Sequence, residues 1–232
     1  MISIVIPSFN EEENIAACLT SLSSQTVPRD SYEIIVVDGG SKDRTREIAE
    51  KYADLVFIQE SPRVGGARND GIRRARGEIV ATTDADTILP ANWIERLIKL
   101  FSDPGVVLAY GPVYPIEGGI KNKISLFLAN SFARFGYATK TVYFTLGCNT
   151  AFRRDVVIQA GLYQTVDAGD DLEIGRRMRH YGKIRFDNLL KVGFSMRRYQ
   201  QFGTIKSIYE WLYIVAKGGV SEKHSYTKKQ YK

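Results

Sequence analysis

The sequence predicts an α/β protein whose mostly parallel central sheet is covered by helices on both faces. Short β-branched apolar runs alternate with stretches that carry apolar residues at helical spacing. The strand-like runs are apolar enough to be buried on both sides, as strands of a parallel sheet are. Each run ends in a short polar loop before the next helical stretch, the rhythm of repeated βαβ units. With 232 residues, 44% hydrophobic and 25% charged, the chain can build one sizeable core and has the composition of a soluble globular domain.

The first strand is "ISIVI", closed by Pro7, and Ile15, Cys18, Leu19 and Leu22 follow at i, i+3, i+4, i+7. "EIIVV" is the second strand, before a polar helix through Ile48. "LVFI" is the third, before "ARNDGIRRA". "EIVATT" is the fourth, followed by Ile94, Leu97, Ile98 and Phe101. Asn10 with Glu13, and Ser41 with Asp43, have the pattern of helix N-caps directly after strands. Arg63 and Arg68 flank a Gly pair expected in a loop before a helix, with Asn69 as that helix's cap.

Beyond about residue 115 the rhythm fades. "GCNTAFRRD" reads as a strand entering a helix, "GDDLEIGRRMRHYG" as an acidic loop opening a helix, and "KIRFDNLLKVGFSMRR" as one or two strands that complete a mixed sheet. From Gly203 an aromatic and aliphatic helix leads into the basic tail "EKHSYTKKQYK". Trp211, Tyr209, Tyr213 and Ile214, with Lys223, Lys228, Lys229 and Lys232, suit either an interfacial element on anionic lipid or a packed helix with a frayed end.

Several classes fall away. "MISIVIPSFN" lacks a basic leader and its apolar run stops at Pro7, so it does not read as a signal peptide. The stretches "ISLFLANSFA" and "WLYIVA" are too short to span a bilayer. Cys18 and Cys148 have no metal-ligand spacing, which points to a reducing compartment, the cytoplasm, with the tail able to touch the inner face of the cell membrane. The formal charge of +6 suits anionic ligands; nucleic acid has nothing beyond that charge to recommend it.

In open α/β sheets ligands bind outside the C-terminal ends of the strands. Those ends carry "PSFNEEE", "DGGSKD", "QESPRVGGARN" and "DADT", so Asp38, Asp84, Asp86, Arg63 and Arg68 are expected to face one crevice. Acidic groups beside basic ones suggest a metal with a phosphate, since Mg²⁺ takes one or two carboxylates plus substrate phosphates. Alone, "DAD" would equally make a solvated turn.

Taken in order, "IVIPSFNEEENI", "IIVVDGGSKDRT", "GGARNDGIRRARGEIVATTDADT", "GCNTAFRRD" and "GDDLEIGRRMRHYG" resemble family 2 glycosyltransferases of the GT-A fold, over residues 1 to about 200. The resemblance implies a Rossmann-like three-layer α/β/α sandwich and inverting, hexosyltransferase-type transfer from a nucleotide-sugar. It places Mg²⁺ or Mn²⁺ on Asp86 with Asp84 as the DxD pair, Ala85 between them, and the nucleobase near Asp38. Pro7, Ser8, Asn10 and Glu11 would line the nucleoside, Asn149 would face the donor sugar, and Arg63, Arg68, Arg197 and Arg198 are candidates for the diphosphate. Asp171 falls at the position of the general base, with Asp170 beside it where glutamate is more usual. The QxxRW signature of processive synthases is absent, which implies one sugar per transfer.

A UDP-sugar is the favoured donor, a GDP-sugar the next, and a glycan or lipid-linked molecule the acceptor class. The expected organisation is one domain over 1–202, with a nucleotide-sugar half at 1–115 and an acceptor half at 116–202, followed by a helix and tail at 203–232. A sugar nucleotidyltransferase would need a Gly-rich basic phosphate loop after the first strand, where "PSFNEEE" stands. A non-catalytic module of the same fold should lack the acids, and Asp38, Asp84, Asp86 and Asp171 are all present.

Overall fold

In the computed structural model, residues 1–143, 145–166 and 169–197 are described. Arg198 and the expected helix and tail at 203–232 lie outside them. The strands are β1 (Ile2–Ser8), β2 (Tyr32–Asp38), β3 (Leu55–Ile58), β4 (Ile79–Thr82), β5 (Val106–Tyr110), β6 (Val113–Pro115), β7 (Thr150–Arg153), β8 (Lys183–Phe186) and β9 (Val192–Phe194). The helices are α1 (Ile15–Ser23), α2 (Thr45–Ala49), α3 (Arg63–Arg74), α4 (Trp93–Phe101), α5 (Ile120–Thr139), α6 (Arg154–Gln159) and α7 (Asp170–Met178).

Seven strands form one sheet in the order β3-β2-β1-β4-β7-β5-β8, and β6 pairs with β9 in a small second sheet. All pairs in the large sheet are parallel except those of β7, which runs antiparallel between β4 and β5. The predicted mostly parallel sheet with late mixed strands is therefore present. Strand alternation sorts the apolar residues onto two faces. Ile2, Ile4, Ile6, Ile34 and Val36 pack with Ile15, Cys18, Leu19 and Leu22 of α1 and with Trp93, Ile94 and Leu97 of α4. On the other face, Val5, Ile35 and Val37 meet Ala67 and Ile72 of α3, with Val157, Ile174 and Met178 from α6 and α7. Gly71 lets α3 lie flush on β1, because a Cβ there would sit 2.3 Å from Val5 Cγ1.

Strand order reverses around β1, whose neighbours are β2 and β4. In sheets of this kind a ligand crevice is expected where the loops after β1 and β4 part. Several local expectations are corrected. Asn10 and Ser41 do not cap helices. Asn10 adopts φ 53° and its backbone N–H donates to Ser41 Oγ at 2.9 Å, while Lys42 N donates to Asn10 Oδ1 at 3.0 Å. The reason is register: Ser8 pairs with Asp38, so the two strand ends sit side by side and their polar residues meet across the loops.

Arg63 and Arg68 belong to α3, Arg63 at its first position and Arg68 inside it. Asn69 is likewise inside this helix and caps nothing. Ile98 is exposed, and Trp93 takes its expected place in the core. The 20-residue α5 was not expected as a helix at all.

Candidate active site

The loop after β4 carries Asp84 and Asp86, and each aspartate meets a different arginine. Arg68 Nη2 lies 3.0 Å from Asp84 Oδ1, while its Nη1 lies 3.2 Å from both Asp170 Oδ2 and Asp171 Oδ1. The Arg68 side chain is only 5% exposed, so one buried guanidinium ties the end of β4 to the start of α7. Asp86 Oδ2 is 3.1 Å from Arg197 Nη2, which also bonds Glu11 Oε1 from the loop after β1. Asp84 and the acidic pair at 170–171 thus meet on Arg68, while Asp86 and Glu11 meet on Arg197.

Several contacts hold Arg68 in place. Its Cζ sits 5.5 Å from the ring centroid of Tyr163, a cation–π contact. Gly147 makes room on another side, since a Cβ there would be 2.0 Å from Arg68 Nη2. Asn69 clamps the loop before α7 by donating to Tyr163 O and accepting from Tyr163 N, both at 2.8 Å. Tyr163 and this clamp were missed from sequence, where nothing links Asn69 to a residue 94 positions away.

Burial pushes the Asp171 carboxyl up to about 7, and the neighbouring Asp170 charge adds to that; Arg68 opposes both. Asp170 is also raised, chiefly by burial. Asp171 keeps 27% of its side chain accessible, whereas Asp170 keeps 8%. Of the pair, Asp171 is the one more open to solvent. Thr145 Oγ1 donates to the backbone carbonyl of Asp171 and fixes the first turn of α7. Cys18 and Cys148 are buried thiols held well above their ordinary range by burial and then by Asp86 or Asp84. Such thiols are inert packing groups.

Other predicted residues have different surroundings. Asp38 is fully buried and turns back on its own loop, accepting from Gly40 N at 2.9 Å, Ser41 N at 2.8 Å and Ser41 Oγ at 2.5 Å. Ser8 Oγ approaches it at 3.4 Å, beyond the partly exposed Pro7. Glu11 accepts from Asn14 Nδ2 at 3.0 Å and its N–H donates to Thr45 Oγ1 at 2.7 Å. Ala85 is buried in the core behind the loop. Arg63 Nη1 donates to Thr165 O.

Asn149, expected to face the donor sugar, is fully buried. It accepts from Trp93 Nε1 at 3.0 Å and donates to Leu190 O at 2.7 Å and Pro112 O at 3.2 Å. Its amide is committed to pinning α4, the start of β6 and the approach to β9. Arg68 is corrected too: a guanidinium this buried and already holding three carboxylates is a structural counter-ion, not an open grip for phosphate.

Solved structures of similar shape define the class of fold. S. aureus TarS 1-349 in complex with UDP-GlcNAc superposes with a TM-score of 0.68 at 21% identity, covering 84% of this chain and 58% of that one. The mannosyltransferase PcManGT from Pyrobaculum calidifontis, in complex with GDP-Man and Mn²⁺, does so at 0.64 and 23% identity, covering 83% of this chain and 56% of that one. The fold is GT-A. The family model described as Glycosyl transferase family 2 matches residues 3–161, and the chain belongs to that family. Glycosyltransferase AglE of Haloferax volcanii is 36% identical over 180 residues, 73% of this chain and 58% of that protein. The chain therefore spans less than three fifths of the length of these relatives.

Proposed function

We propose that the chain is a metal-dependent, inverting glycosyltransferase that moves one sugar from a nucleotide-sugar to an acceptor hydroxyl. The observation that carries this reading is Asp171, a carboxylate raised to about 7 yet still accessible, in one cluster with Asp84 of the DAD loop. A general base works best with a pKa near the working pH. Asp171 takes the proton of the acceptor hydroxyl as that oxygen forms its bond to the anomeric carbon. The bond from that carbon to the diphosphate breaks on the opposite face, and the electron pair leaves with the diphosphate.

The donor set fits a hard divalent cation, because Asp84 and Asp86 offer carboxylate oxygens on one short loop. Among the described residues no three acid, His or Cys groups converge on one point, so Mg²⁺ or Mn²⁺ would take its remaining ligands from the diphosphate and water. When bound, the ion supplies charge neutralisation to the departing diphosphate. Among the described residues Arg197, already on Asp86, is a cation placed to approach the same phosphates.

A UDP-sugar is the favoured donor and a GDP-sugar the alternative, in keeping with the ligands of TarS and PcManGT. The acceptor is a glycan or a lipid-linked molecule. Residues 1–115 act as the donor half, and 116–202 supply the base and the acceptor side.

Two measurements test this reading. Calorimetric titration with UDP and GDP, each with Mn²⁺ or with EDTA, should show one nucleotide binding tightly only with metal; no binding in any arm would overturn it. Asp171→Asn should lower transfer by about 10²–10⁴-fold with donor binding nearly unchanged. Equal loss of both would remove Asp171 as the base.

A further inference from the structure

Helix α5 has two apolar faces, and the described residues cover only one. Asn122, Leu126, Ala133 and Gly136 point inward. Ala133 packs with Leu172, the residue after Asp171, in a small cluster completed by Phe132, Val142, Leu146 and Phe186. On the opposite side Ile120, Ile124, Phe127, Leu128 and Phe135 are 53–70% exposed. At 3.6 residues per turn these five fall within roughly 100° of the helix circumference, an outward stripe about 24 Å long in which Ser131 is the polar member. Scattered exposed apolar residues need no explanation, but a contiguous stripe of this kind marks an interaction surface.

The charges flanking the stripe identify its partner. Helix α5 has no acidic residue, while Lys121 on one side and Lys123 and Arg134 on the other border the apolar strip, and Lys140 caps the end. The chain as a whole is formally +6. An apolar strip between basic margins is the pattern of a helix lying in a lipid headgroup layer, where apolar side chains enter the acyl boundary and basic ones meet anionic headgroups. Lysine and arginine stems can lie along such a surface with their charged ends in water. No helix among the described residues is long and apolar enough to cross a membrane, so the contact is parallel to the surface.

We propose that the outer face of α5 docks on an anionic lipid bilayer. This surface is distinct from the residues beyond 197, and it stands independently of the chemistry read from the acid cluster. Its inner face supports the turn that carries Asp171, so the docked helix would hold that turn close to the headgroup layer.

The test uses the two native thiols' burial: Cys18 and Cys148 are both inaccessible, so Phe127→Cys in the full chain gives a single labelling site. A polarity-sensitive fluorophore there should shift to the blue with vesicles of phosphatidylcholine and phosphatidylglycerol, and far less with phosphatidylcholine alone. In flotation, Phe127→Glu/Leu128→Glu should lower partition onto the anionic vesicles at least about tenfold. An unchanged emission with vesicles overturns the proposal. So does a shift that follows protein concentration without lipid, which would make the face a contact between copies. Emission already blue before lipid and indifferent to it would mean that another part of the chain covers the stripe, and would overturn the proposal as well.

Discussion

Replacing Arg68 with Met removes the one buried cation that holds three carboxylates and keeps the shape of the aliphatic stem. The guanidinium is 5% exposed, with partners at 3.0, 3.2 and 3.2 Å. Breaking a buried ion pair by deleting one partner costs about 3–5 kcal/mol, against at most about 1 for an exposed pair. Asp84 and Asp171 retain 31% and 27% accessibility and can recover some hydration, which places the loss near the lower figure. A loss of about 3 kcal/mol lowers Tm by roughly 6–12 °C in a domain of this size.

The loss should also depend on pH. Asp170 and Asp171 are already raised while Arg68 pulls them down, so its removal raises them further. The native state then holds protons that the unfolded chain has released, so stability falls as pH rises from the ordinary carboxylate range through the raised folded pKa. Denaturant unfolding of both proteins at about pH 5 and about pH 8 should show the larger deficit at the higher pH. Adding Asp170→Asn should recover part of it. A deficit below about 0.5 kcal/mol at both values would mean that the guanidinium behaves as an ordinary surface charge, and the argument for its structural role would fail.

With Asp171 as base, kcat/KM should rise with pH and level off above about 7, since only the deprotonated carboxylate accepts a proton. Asp170→Asn removes the second cause of that raised value and should move the acid limb of the pH–rate profile lower; an unmoved limb assigns it to another group. Gly147→Ala would bring a methyl to 2.0 Å from Arg68 Nη2 and 2.2 Å from Cζ, so unfolding titrations should show a loss of about 1–3 kcal/mol. Wild-type stability would mean that the guanidinium can step aside. Asp86→Asn should abolish the metal-dependent part of nucleotide binding in calorimetry and leave any binding in EDTA unchanged.

The sheet was legible because β1, β2 and β4 are short apolar runs between polar loops, and such runs have few other places to go. The DAD loop and the acidic start of α7 were legible as motifs in order. Arg68 was not, because "RVGGARNDGIRR" is polar enough to read as a solvated loop and helix. Its burial depends on Tyr163 and Gly147, brought to α3 by the chain around β7. Asn149 went astray for the opposite reason: a polar residue in a motif looks like a ligand group, and only the fold reveals that Trp93, Pro112 and Leu190 use its amide. Helix α5 hid because apolar residues on both faces erase the one-sided periodicity on which helix recognition relies. The same feature leaves its outer stripe available for a partner.

Charge balance limits what the crevice can accept. Over the described residues, Glu11, Asp84, Asp86, Asp170 and Asp171 face Arg68 and Arg197, a formal surplus of three negative charges. Burial raises both Asp170 and Asp171, so protons on that pair offset part of the surplus. An anionic diphosphate would be repelled from such a site, and the divalent cation proposed above would offset part of the excess. The two arginines cannot replace that ion equally. Arg68 is locked between α3, β4 and α7, so moving it would leave Asp84, Asp170 and Asp171 without their shared counter-charge. Arg197 comes from the segment after β9, retains 27% accessibility and pairs with Asp86 at the mouth of the crevice. If Asp86 holds the proposed metal, Arg197 is the arginine that would turn toward the phosphates, while Arg68 would keep Asp84, Asp170 and Asp171 in register.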